Sequence, residues 1–184
     1  MNESIIIGNP SLILVAGRHL RFINENEVLT MSVYGTLRHI NVETREYKEV
    51  EGFGGSNNMN TYPIHSLFDF NERHFVVKKS EKCLVLTGKD LNVVEEREVS
   101  SRIRHIIWEK EDRFMIFCSK DVYRYSANNH NLTRLELQFE EIYSGQVIGD
   151  NILLHVKKNG SKQIILLNQN LQQLHSQQIQ LELR

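Results

Sequence analysis

Apolar positions along this chain come in short runs that alternate with polar residues, and helical rhythm is nearly absent. Runs rich in Val, Ile, Leu, Phe and Tyr are separated by Asn, Asp, Gly, Ser and Lys. That pattern predicts many short strands joined by tight turns. The stretch from Tyr62 to Val99 shows the order of parts: an alternating run, the turn Asn71-Glu72-Arg73, "HFVVK", the turn "KSEK", "CLVLT", the corner "GKD", and "LNVVEEREV". The same order returns from Ser101 to Leu137 and from Glu140 to Gln178.

The copies share a period. Ile64, Ile103 and Ile142 are spaced 39 residues apart, as are Phe75 and Phe114, with Ile152 and Leu153 lying 38 and 39 further on. Leu91, Leu132 and Leu171 are 41 and 39 apart. One unit is therefore four strands in about 39 residues. The segment "VYGTLRHINVETREYKEV", Val33 to Val50, is the inner part of an earlier copy. The expected layout is a hairpin over 5–16, units over 20–50, 62–99, 101–137 and 140–178, and a terminal strand over 179–184. All of it forms one domain spanning 1–184.

Four-stranded units of about 40 residues are the sign of a β-propeller, in which each sheet covers its apolar faces against its neighbours. The fold class expected is all-β, a propeller-type array of four-stranded antiparallel blades, about four to five in number. Over roughly residues 20 to 178 the chain resembles the WD40-like propeller family. "VYGTLRHINVETREYKEV" is similar to its turn-strand-corner-strand element, with Gly35 in the tight turn. Where family units often carry Trp-Asp, this chain has Ile40-Asn41, Leu86-Thr87, Tyr125-Ser126 and Leu167-Asn168. The resemblance thus implies the architecture without the family's Asp-centred hydrogen-bond network. The count of units fits three arrangements: part of a longer propeller, an open array completed by a partner's strands, or a small ring of four or five blades.

Composition narrows the class of function. A formal net charge of −1 argues against a general polyanion-binding surface. No apolar run approaches the ~18–20 residues of a membrane span. The start "MNESIIIGNPSLILVAGRH" lacks a basic leader, and Gly8-Asn9-Pro10 interrupts it, so it reads as strands. Cys83 and Cys118 sit inside apolar runs without a CxxC pattern, which suits a reducing compartment, cytoplasm or nucleus.

Catalytic signatures are missing. The eight histidines are scattered, with no HxH, HExxH or Cys/His cluster to ligate a metal. Asp69, Glu109, Glu111 and Asp112 lie on or beside turns, which favour such residues for their own reasons. Ser11, Ser66, Ser101 and Ser144 have no GxSxG context. "GFGG", Gly52 to Gly55, is followed by neither Lys-Ser/Thr nor a helical pattern, so it is a connecting loop and not a phosphate cradle. No cofactor is expected.

Two binding features stand out. "QIQLELR" ends the sequence as an alternating strand, with Ile179, Leu181 and Leu183 on one face, a template for strand addition by a protein partner. Basic residues collect at Arg18, His19 and Arg21, at Arg102, Arg104 and His105, and in two equivalent turns holding Lys78, Lys79, Lys157 and Lys158. Such turns could meet RNA phosphates without base readout, or simply blunt exposed edges. Trp108 is the single tryptophan and defines no stacking platform by itself. The expected function is a non-enzymatic scaffold subunit of a larger intracellular complex that uses propeller rim loops and exposed strand edges to bind protein partners, with a partner that completes the propeller as one of the three arrangements above. The alternative is an accessory RNA-binding propeller of an RNA-processing or modification complex.

Overall fold

The computed structural model describes residues 5–7, 17–32, 36–53 and 68–179. Within them every regular element is a strand. The first sheet is built from β2 (Gly17–Phe22), β3 (Glu27–Ser32), β4 (Leu37–Asn41) and β5 (Glu46–Val50), and it carries β1 (Ile5–Ile7) on its outer edge, in the order β1-β5-β4-β3-β2. The second contains β6 (Phe68–Phe70), β7 (His74–Lys78), β8 (Cys83–Gly88) and β9 (Val93–Glu98). The third contains β10 (Ile103–Lys110), β11 (Arg113–Cys118), β12 (Val122–Ser126) and β13 (Asn131–Leu135). The fourth contains β14 (Glu141–Ile148), β15 (Asn151–Lys158), β16 (Ser161–Leu167) and β17 (Gln173–Gln178). Apart from β1, each is an antiparallel meander of four strands in chain order, as the 39-residue period predicts.

Register sharpens the repeat. Phe75 pairs with Thr87, Phe114 with Tyr125 and Ile152 with Leu167, so these are equivalent positions. The second unit's counterpart of the Trp-Asp pair is therefore Thr87-Gly88, one residue later than the sequence alignment places it. The corner between third and fourth strands has a left-handed residue in every sheet: Arg45 (φ 64°), Leu91 (65°), His130 (56°) and Leu171 (64°). His130, and not Leu132, is thus the third unit's match to Leu91 and Leu171. Non-glycine residues adopt this conformation at a cost. Side-chain oxygens offset it by capping the turns: Asn41 accepts from the amides of Glu43 and Thr44, Asp90 from Asn92, Asn129 from Asn131, and Asn168 from Asn170 and Gln172.

A second repeated detail is a β-bulge in the first strand, at Arg18, Arg104 and Tyr143. Extra residues of this kind bend a strand and add local twist. Between β15 and β16 a two-residue Asn159-Gly160 loop has φ 52° and 73°, the doubly left-handed hairpin turn that Asn-Gly favours. Gly35 and Ile64 lie outside the described residues.

The chain divides into two compact units, Met1–Glu98 and Val99–Arg184. In the first, Leu29, Met31 and Leu37 of the first sheet pack with Phe68, Phe75, Val77, Val85 and Leu91 of the second, with Phe53 between them in sequence. In the second, Met115, Phe117, Val122 and Leu135 of the third sheet pack with Ile142, Ile152, Leu154, Val156, Ile165 and Leu167 of the fourth. Each such side chain contributes about 1.5–3 kcal/mol by leaving water. The packing follows strand alternation: Ile152, Leu154 and Val156 face the third sheet, which leaves Leu153 and His155 on the other side.

Of the hairpin expected over 5–16, only Ile5–Ile7 is described, and it pairs antiparallel with β5, Ile5 opposite Lys48 and Ile7 opposite Glu46. Of the terminal strand over 179–184, only Ile179 is described.

Candidate protein-interaction surface

The sheet repeat predicts which face of the fourth sheet a neighbour should cover. On the third sheet that face is Met115, Phe117 and Val122, all 0% exposed against the fourth sheet. Cross-strand register makes Leu153, His155 and Ile164 their equivalents: Phe117 lies opposite Val122 as His155 lies opposite Ile164. Here the side chains are uncovered to varying degrees. Ile164 is 38% exposed, and Leu153, His155 and Leu166 are half-buried.

The polar part of this face is basic and aromatic. His155 packs against Tyr143 in a tilted arrangement, with ring centroids 4.8 Å apart. The Lys162 ammonium lies 5.3 Å from the Tyr143 centroid and the Arg104 guanidinium 5.9 Å. Burial, and then the charge of Lys162, hold the His155 imidazole below its ordinary pKa. Its Nε2 has no hydrogen-bond partner. Sequence reading missed this face. Its signal was the substitution of His155 for the aromatic position Phe117, visible only once register aligns the copies.

The lysines of the alternative reading are largely engaged. Lys79 forms an ion pair with Glu96, which holds its ammonium pKa up. Lys157 lies 3.5 Å from Glu140, and the Lys158 ammonium sits 6.0 Å from the Phe139 ring centroid. Lys78 ends β7, and it too has an interaction partner. These residues occupy equivalent turns in their own sheets, but Lys78 and Lys79 belong to one unit and Lys157 and Lys158 to the other. Arg21 and Arg104, from the other basic clusters, each link the first strands of consecutive sheets: Arg21 to Asp69 at 3.1 Å and Arg104 to Glu141 at 2.6 Å. Ile179 follows directly after β17, its amide donating to the Lys162 carbonyl at 2.9 Å. Leu181 and Leu183 lie outside the described residues.

The carboxylates have structural employment. Arg124 holds Glu109 through two bonds of 3.0 and 2.9 Å, and Asp112 accepts from Ser126 and from the Asn128 amide. The expectation that an Asp-centred network is missing is overturned in the third sheet. Asp121, buried in the turn between β11 and β12, accepts from the hydroxyls of Ser100 and Ser101 and pairs with Arg134. Tyr123 hydroxyl donates to Ser100 Oγ at 2.8 Å. The aspartate stands before the third strand, and the alignment searched only its end. Burial pushes the Asp121 carboxyl up, but the Ser100, Ser101 and Arg134 interactions outweigh it and hold the pKa below the ordinary value. Among the described residues no group of three or more His, Cys, Asp or Glu could hold a metal ion. No helix among them is long and apolar enough to cross a membrane.

No protein-family model matches the chain, and no curated protein matches it in sequence. Solved structures do share its architecture. The Myceliophteria thermophila Cps50 (Swd1) β-propeller domain aligns at a TM-score of 0.68 and 11% identity, over 97% of this chain and 59% of that one. The Neurospora crassa Pan2 WD40 domain aligns at 0.60 and 8%, over 92% and 52%. The computationally designed Ika8 protein aligns at 0.64 and 12%, over 86% and 48%. The chain thus spans about half to three-fifths of these structures. At such identities the likeness establishes fold alone: the chain shares the β-propeller architecture of these domains, built on antiparallel sheets of four consecutive strands.

Proposed function

We propose that the chain is a non-catalytic protein-interaction subunit of a larger intracellular complex, and that a protein partner continues the sheet array on the free face of the fourth sheet. The carrying observation is the contrast between Val122, 0% exposed, and its equivalent Ile164, 38% exposed. An apolar face of this kind, half open and flanked by Lys162, suits a partner sheet that brings apolar side chains and a carboxylate for His155. Each structural relative extends well beyond the part this chain matches, which is in keeping with further sheets in that position.

Mild co-purification with wild-type and Ile164→Glu chains tests this reading. The expected outcome is a defined partner set that is lost from the variant, whose circular dichroism and melting match wild type. Retention of every partner by the variant would overturn it. Reversal of Lys78, Lys79, Lys157 and Lys158 to Glu serves as the parallel arm, and the partner set should survive it. Salt-sensitive RNA binding by wild type that this reversal abolishes would replace the present reading with the RNA-binding one.

A further inference from the structure

We propose that the outer strand β17 is a self-association site, pairing antiparallel with β17 of a second copy about a two-fold axis at Gln177. Four outer strands are described, and they differ in how their edges are protected. β5 already carries β1, so strand addition at this position of the sheet occurs within the chain itself. β9 holds Glu95, Glu96, Arg97 and Glu98. β13 is five residues long, and its Arg134 is tied to Asp121. Charges and short length are the usual protections of an edge. β17 reads Gln173-Leu174-His175-Ser176-Gln177-Gln178, exposed throughout, with no acid, lysine, arginine or proline. Among the described residues no strand lies outside it. A bulge at Leu174 interrupts its start, and from His175 onward the ladder to β16 is regular.

The ladder also says which groups are available. The Ile179 amide donates inward to Lys162, so alternation turns the backbone groups of His175 and Gln177 inward as well. Ser176 and Gln178 therefore present their amide and carbonyl outward. A two-fold at Gln177 places Ser176 of one copy opposite Gln178 of the other, twice over, each pair exchanging two backbone hydrogen bonds. Side chains of the two Gln177 residues meet across the axis. With no formal charge on the strand, self-pairing meets none of the like-charge repulsion that Glu95 to Glu98 would bring to β9. The fourth sheets of two copies then form one continuous sheet.

The purified chain alone is the probe, so failure here leaves the partner-sheet reading intact. Sedimentation over a dilution series should show a reversible monomer–dimer equilibrium. Gln177→Lys and Gln177→Glu should each be monomeric, since each sets like charges across the axis, while their equimolar mixture should recover the dimer. A wild-type monomer at every concentration overturns the proposal, as does a dimer that persists in both variants or a mixture that stays monomeric.

Discussion

Single residues mark where local chemistry and burial disagree. Thr87 stands at the position filled elsewhere by Tyr125 and Leu167, is 0% exposed, and its hydroxyl has no hydrogen-bond partner. A buried unpaired polar group costs about 1–3 kcal/mol. Thr87→Val should therefore raise stability by roughly 1 kcal/mol in a thermal or urea melt. Asp121 is the opposite case, a buried carboxylate with its partners in place. Its folded pKa is depressed, so its stabilisation is complete above the unfolded aspartate value of about 3.9 and is lost as pH falls through the lower folded value. Urea titrations at descending pH should show Asp121→Asn less stable near neutrality and with a flatter acid limb than wild type. The sequence contained every atom of this network, but Ser100 and Asp121 are 21 residues apart. Only the return of the strand brings them together, which is why reading Tyr125-Ser126 alone suggested that none existed.

At the scale of elements, the repeat was legible because strand alternation, turn chemistry and period all report the same four-stranded unit. The left-handed corners at Arg45, Leu91, His130 and Leu171 were not legible, since no residue type there demands that conformation. Capping by Asn41, Asp90, Asn129 and Asn168 makes the corner, and the αL residue takes its conformation from the turn. Packing between the third and fourth sheets makes a sharper demand at Gly145. A Cβ built there would lie 2.2 Å from Cδ1 of the Phe117 ring. Gly145→Ala should destabilise the chain by about 1–3 kcal/mol, the usual cost of overpacking, and Gly145→Ala with Phe117→Leu should recover part of it in the same melt. Nothing in "IYSGQVI" distinguishes this glycine from a bulge glycine, because the ring it must avoid belongs to another sheet.

At the scale of the whole molecule, the important contrast is between buried and open copies of one repeated face. Ile164→Glu should change the stability by no more than the small range typical of exposed sites, about ±0.5 kcal/mol, while removing the partner set. The same substitution at Val122, its buried equivalent, should be strongly destabilising because it places an unpaired carboxylate in the core. The comparison of Ile164 with Val122 in parallel melts separates a binding face from a packing face. The basic turns illustrate the same point from the polar side. As a sequence, the Lys78-Lys79 and Lys157-Lys158 turns look like matching cationic sites. In the fold Lys79 and Lys157 have carboxylate neighbours, Glu96 and Glu140, brought by adjoining segments.

The sequence by itself determined that the chain is all-β, that its unit is four strands long, and that the units repeat at 39 residues. Those properties depend on alternation, turn residues and spacing, which are local and written along the chain. Tertiary structure alone decided which copies of a face are covered, which charges find partners and which outer strand has no neighbour among the described residues. These depend on what lies across a sheet or between sheets, and equivalent stretches such as "FMIF" and "ILLH" meet different neighbours. Burial is a property of the pair of surfaces, and one strand's sequence specifies only its own half.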